Sequence, residues 1–216
     1  MLTSISTRKW IRNAALVALV VAPRNSHAAQ AEEKQFELVP NPAAVRCLAA
    51  FPDDPTKPPS ATVTVKQGKL NDTLTIKLKN IKEGLDFDLF TVEHSPLQLD
   101  GTPDPDFVNF GLAWYQSDLA VGKNRKGNTT IKTILINQIF GFDPAVGLAP
   151  TNTFHVGFWF DSPDDVTACN LHGSTPFNGD HHAGPFAMIS VPDNKSGLGP
   201  LCLDPDLSSN PVHCNP

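Results

Sequence analysis

Apolar and polar residues alternate with period two over several short stretches of this chain, the pattern of strands that bury one face. In Ala61-Thr62-Val63-Thr64-Val65 the small and branched apolar residues fall on one side. Leu74, Ile76 and Leu78 then alternate with Thr75, Lys77 and Lys79. The intervening Gly68-Lys69-Leu70-Asn71-Asp72 carries turn residues, so the two runs predict a β-hairpin. Leu85-Asp86-Phe87-Asp88-Leu89 continues the alternation up to Val92. Residues 107–116 (FVNFGLAWYQ) carry apolar groups at both odd and even positions, which predicts a central strand covered on both faces. The basic turn at residues 122–127 (GKNRKG) precedes a further strand over 130–136.

The densest aromatic run lies in Thr151-Asn152-Thr153-Phe154-His155-Val156-Gly157-Phe158-Trp159-Phe160-Asp161. A strand here places Phe154, Val156, Phe158 and Phe160 on one face, the core face, with His155, Gly157 and Trp159 on the other. Residues 185–191 (PFAMISV) read as the last strand. About seven short strands with turn signals between them, and no amphipathic helix, predict an all-β fold. The expected form is a single-domain antiparallel β-sandwich, immunoglobulin-like or jelly-roll in style, over residues 61–191. Residues 32–60 form a Pro-rich lead, and regular structure is expected only after its Pro52-to-Pro59 loop, because proline lacks the donor that a ladder needs. Residues 192–216 form a turn-rich tail.

Composition supports this picture, with 20 Pro and 14 Gly in 216 residues. The first 31 residues fall outside the fold. Arg8, Lys9 and Arg12 precede the short apolar run 14–22, and Ala29-Gln30-Ala31 supplies a small-x-small cleavage pattern, together predicting a secretory signal peptide. The apolar run has about half of the roughly 20 residues that a membrane span requires. Loss of this segment removes Arg8, Lys9, Arg12 and Arg24 and no acidic residue, taking the formal charge from −5 to −9. A surface so acidic argues against nucleic acid or an anionic membrane as partner. The expected setting is secreted or periplasmic, and the expected partner an extracellular ligand or surface.

Cys47, Cys169, Cys202 and Cys214 all follow that segment, and an even count in an oxidising compartment reads as two disulfides. Three connectivities are open. Pairing Cys202 with Cys214 closes a small C-terminal loop, and pairing Cys47 with Cys169 ties the lead to the aromatic segment. No Cys-x-x-Cys is present to suggest redox shuttling or a structural zinc site.

Familiar catalytic signatures are absent: there is no Gly-x-Ser-x-Gly, His-Glu-x-x-His, phosphate loop or dinucleotide fingerprint. The candidate chemistry is of other kinds. His155, His172, His181 and His182 are imidazoles on or after the aromatic strand, the residue type that copper and zinc prefer; His155, His181 and His182 form the candidate set. Asp100, Asp104 and Asp106 place three carboxylates in one Asp-Pro-rich loop, the hard oxygen donors that calcium prefers. Asp161, Asp164, Asp165 and Asp180 offer carboxylate pairs of the kind used in glycoside hydrolysis. Trp114, Tyr115 and Trp159 offer rings for stacking or for the core.

Phe154-His155-Val156, then Cys169, then Pro176-Phe177-Asn178, then His182-Ala183-Gly184-Pro185 resembles the motif series of the copper/zinc superoxide dismutases. The resemblance spans residues 154–185. It implies a related sandwich, Cys169 as a disulfide partner, and His155 and His182 at ligand positions. Gly157 and Pro176 stand where it requires a second copper histidine and the metal-bridging histidine. The sequence therefore points first to an exported, non-catalytic binding or structural protein. A copper- or zinc-binding protein with dismutase-like chemistry is the alternative, and a carbohydrate-active enzyme using acidic loops is a third reading.

Overall fold

The computed structural model describes residues 33–133, 154–173, 175–176 and 182–215. The predicted signal peptide lies outside them. Within them the chain runs β1 (Glu33–Pro40), a single helical turn α1 (Val45–Leu48), β2 (Ser60–Lys66), β3 (Asp72–Lys79), β4 (Asp86–Val92), β5 (Ala113–Ala120) and β6 (Lys126–Thr133). After β7 (His155–Phe160) come a 3₁₀ turn (Pro163–Cys169), the two-residue strands β8 (Thr175–Pro176) and β9 (His182–Ala183), then β10 (Phe186–Ile189), β11 (Pro205–Asp206) and β12 (His213–Cys214).

Eight strands form one antiparallel sheet in the order β5-β4-β7-β10-β1-β2-β3-β6. The two end strands are consecutive in the chain. They are joined by the tight turn 121–125 and touch through Ser117 Oγ and Thr129 Oγ1 at 3.4 Å, so the sheet curls into a near-closed barrel. This is an all-β antiparallel sandwich or barrel, of the general kind that the dismutase resemblance implies.

Two strand expectations are corrected. Regular structure begins inside the Pro-rich lead, because β1 precedes its Pro52-to-Pro59 loop and meets a proline only at its last residue, Pro40: Phe36 and Leu38 pair with Val63 and Ala61 of β2, and Val39 pairs with Ile189 of β10. That strand joins the two halves of the sheet. The apolar run 107–116 is not a central strand. Asn109 Oδ1 accepts a hydrogen bond from the Gly111 amide at 2.8 Å, and Gly111 takes a left-handed φ of 69°. The resulting turn breaks the run, so β5 begins only at Ala113 and lies at one end of the sheet order.

The inner core is built from the alternating residues of the facing strands. Val63, Val65, Leu74, Ile76, Phe87, Leu89, Val156, Phe158 and Phe160 are all buried there, each worth about 1.5–3 kcal/mol. Phe87 packs edge-on against Phe158 with centroids 4.8 Å apart. A second cluster covers the opposite face of β4, β7 and β10: Phe90, Val92, Trp159 and Ile189, with Phe110 folded over them from the loop between β4 and β5. Phe110 and Trp159 meet at 5.0 Å, and Phe90 and Trp159 at 5.4 Å. These three strands are thus covered on both faces, one of them by a loop.

Cys47 is bonded to Cys169 and Cys202 to Cys214. The first disulfide ties α1 to the 3₁₀ turn. The second closes the short C-terminal loop containing β11 and β12.

Candidate site at the end of the barrel

Register decides which residues meet at the end of the barrel where β4 and β10 finish and β7 starts. Val92 pairs with His155, Ile189 pairs with Gly157, and the Ser190 amide donates to the Val156 carbonyl at 2.8 Å. The loops that leave β4 and β10 rise from this rim and enclose a cleft of about 480 Å³. Glu93, His94 and Ser95 line it from the end of β4, Asp104 and residues 106–109 from the following loop, and Phe154 and His155 from the start of β7. Pro192 and residues 197–199 close the far side. Gly199 is required there, because a Cβ at that position collides with the Phe154 carbonyl.

His155 is the buried polar group of this site, only 4 % exposed. Its Nδ1 lies 3.1 Å from the Ser190 carbonyl and 3.1 Å from Ser190 Oγ, while Ser190 Oγ also accepts from the Val156 amide at 3.1 Å. A carbonyl can only accept, so Nδ1 carries the proton and Nε2 keeps a lone pair. Burial pushes the imidazole pKa down to about 4. The hydrogen bond to Ser190 opposes that shift, and nearby His94 adds to it. At neutral pH the ring is an uncharged acceptor held in one orientation.

The aspartates of the predicted calcium loop divide. Asp100 Oδ1 accepts from the Thr102 amide at 2.9 Å and from Thr102 Oγ1 at 2.6 Å, bonds that lower its pKa, and it does not line the cleft. Asp104 and Asp106 do line it, with Asp104 Oδ1 accepting from the Asp106 amide at 3.1 Å. Two separate candidate groups, His155 and the aspartate loop, therefore meet at one cleft.

The histidine set is spread out. The backbone of β9, which carries His182, lies beside the other end of β7, where the Gly184 amide donates to the Phe160 carbonyl. Five residues of strand, about 17 Å, separate that end from His155. His172 is exposed beyond the 3₁₀ turn, and His181 lies outside the described residues. At the dismutase-like position Gly157, a Cβ would come 2.9 Å from Ile189 Cγ1 and 3.0 Å from Trp159 Cζ3. The Trp159 ring thus packs over the place where the resemblance requires a histidine. Among the described residues no group of three or more His, Cys, Asp or Glu is arranged to hold a metal ion.

Asp161, Asp164 and Asp165 sit at the opposite end of the barrel from the cleft, and Asp180 lies outside the described residues. Burial, with Asp161 nearby, raises the pKa of Asp165, and Lys82 opposes the shift. Trp159 is fully buried in the outer cluster, whereas Trp114 and Tyr115 are 44 % and 41 % exposed on β5. The Tyr115 hydroxyl donates to Asp118 Oδ1 at 2.6 Å.

Sequence reasoning missed Glu93, His94 and the 197–199 turn. Glu93 and His94 follow directly on β4, and the ends of neighbouring antiparallel strands share a rim, so that rule applied to Val92 would have flagged them; the 197–199 turn lies farther along the loop that leaves β10 and carries no such signal. Comparison with known proteins returns no match: no family model, curated protein or solved structure aligns with this chain.

Proposed function

We propose that the protein is an exported, non-catalytic binding protein and that the cleft beside His155 is where it holds its ligand. The observation that carries this reading is the cleft itself. A concavity of about 480 Å³ is in the size range of small-molecule sites, and it sets Phe107 and Phe154 among polar side chains from the end of β4, the loop that follows it and the start of β7. Export is supported by the two disulfides, which suit an oxidising compartment. No helix among the described residues is long and apolar enough to cross a membrane.

The test is a thermal-shift screen of the mature protein against metabolite, glycan and peptide panels, repeated with Val108→Trp. Val108 is on the cleft rim and 86 % exposed, so a large ring there obstructs the opening without touching the core. Saturable stabilisation by a ligand, lost in Val108→Trp, is the expected result. Hits that this variant leaves unchanged would move the site elsewhere, and an empty screen would count against a binding role. Metal content of the same preparation, purified without chelators, separates the alternative. Near-stoichiometric copper or zinc, lost in His155→Ala, would favour the metal-binding reading.

A further inference from the structure

The net negative charge of the chain is unevenly placed over the barrel. Alternate residues of β2, β3 and β6 turn away from the core. Their register lays serine, threonine, asparagine and five lysines on one polar face that carries no acidic residue. Thr64, Thr75 and Thr130 form a row across the three strands, with Thr75 Oγ1 3.0 Å from Thr130 Oγ1. The carboxylates of β1 and β5 that border this face are engaged. Glu33 pairs with Lys66 at 2.9 Å, Glu37 accepts from the Thr62 hydroxyl at 2.7 Å, and Asp118 accepts from the Tyr115 hydroxyl. Lys77, Lys79, Lys126 and Lys132 are exposed, and among the described residues none of them forms an ion pair.

A second observation separates this face from ordinary solvated surface. Lys79 and Lys126 stand directly opposite each other in the β3–β6 ladder. That position holds their Cβ atoms about 5 Å apart, and like charges so placed destabilise a sheet. Lysine on an end strand discourages stray strand pairing, which accounts for Lys126 and Lys132 on β6. It does not account for Lys77 and Lys79, because β3 lies inside the sheet between β2 and β6. An anionic group seated between Lys79 and Lys126 replaces their repulsion with two attractions.

We infer that this face binds a linear acidic polysaccharide bearing uronate carboxylates, a partner separate from the ligand of the cleft. From Lys126 to Lys132 the face runs about 20 Å along the strand, so its four unpaired lysines supply on average one charge for about every 5 Å. Duplex DNA presents one charge per about 1.7 Å, a density that these lysines do not match and that the acidic remainder of the molecule repels. A uronate chain is sparser, with one carboxylate per sugar ring, and its intervening hydroxyls meet the threonine row and Asn128. Screening beyond about 8 Å at physiological salt lets the lysines under the polymer outweigh carboxylates elsewhere on the barrel.

Calorimetric titration of the mature protein at pH 7.5 and low salt tests the inference with three probes: decagalacturonate, uncharged maltodecaose and a short DNA duplex. The decagalacturonate is expected to bind saturably, the maltodecaose to be silent and the DNA to bind more weakly. Lys79→Gln with Lys126→Gln should weaken the decagalacturonate by about tenfold or more. Lys79→Arg with Lys126→Arg should retain it, with thermal unfolding checking that both double variants fold. Lys195→Gln, in a turn on another part of the surface, and Val108→Trp, on the cleft rim, should bind as the parent does. Silence towards decagalacturonate, or binding unchanged in the glutamine double variant, would overturn the inference. DNA binding tighter than decagalacturonate would overturn the uronate assignment. Decagalacturonate binding abolished by Val108→Trp would place the polymer in the cleft, overturning this inference while supporting the binding role proposed above.

Discussion

His155 and Gly157 show how single residues on the outer face of one strand set the properties of the barrel end. The folded protein keeps His155 neutral down to about pH 4, whereas an unfolded chain protonates its histidine near 6.5. Between those values the unfolded state binds a proton that the folded state does not, so this group's contribution is fully present above pH 6.5 and is lost as the pH falls towards 4. The size of the effect is roughly 3 kcal/mol. His94, Glu93, Asp104 and Asp106 line the same cleft, so the comparison must be made with a variant that alters only His155. Urea unfolding of His155→Asn at pH 7.5 and 4.5 should lose less stability across this range than the parent protein. Equal slopes would show that the buried imidazole is not the source. At Gly157, an added methyl group presses on Ile189 and on the Trp159 ring. Gly157→Ala should cost about 1–3 kcal/mol and shift Trp159 fluorescence, readable in the same unfolding experiment.

At the scale of elements, the loop between β4 and β5 does work that sequence patterns assign to strands. Phe110 leaves the ladder and closes over Trp159 and Phe186, with centroid distances of 5.0 and 6.2 Å. By covering that face, the loop also carries Asp104 and residues 106–109 to the cleft. Phe110→Ala should therefore destabilise by about 2 kcal/mol, less than a fully buried phenylalanine because Phe110 is only partly covered. The same variant should speed amide exchange in residues 104–112 before the sheet opens, detectable by hydrogen exchange with mass spectrometry. Unchanged exchange there would mean that the loop is held by its turns alone. The alternation in β2, β3 and β7 was legible because each strand repeats one apolar face. The course of residues 107–112 was not, since apolar residues at every position describe a covered strand and a covering loop equally well.

Across the whole molecule, the Cys47–Cys169 disulfide joins positions 122 residues apart and spans most of the barrel in sequence. Chain-entropy reasoning assigns a cross-link of that length up to about 5 kcal/mol, and the 12-residue Cys202–Cys214 closure about 3 kcal/mol. Cys47→Ala with Cys169→Ala should lower the denaturant midpoint more than Cys202→Ala with Cys214→Ala, as chemical unfolding of the two double variants would reveal; the reverse order would place the stabilising role in the tail. The amino-acid sequence by itself determined the all-β class, the core faces of β2, β3 and β7 and the presence of cysteines in even number, because these follow from local period and composition. Only the tertiary structure decided the pairing of those cysteines, the place of β1 between the two halves of the sheet, and the meeting of His155 with Asp104 and Asp106 at one rim. Those facts depend on strand register and closure, which bring together residues from four separate stretches of chain, and no local pattern encodes a contact between residues so far apart.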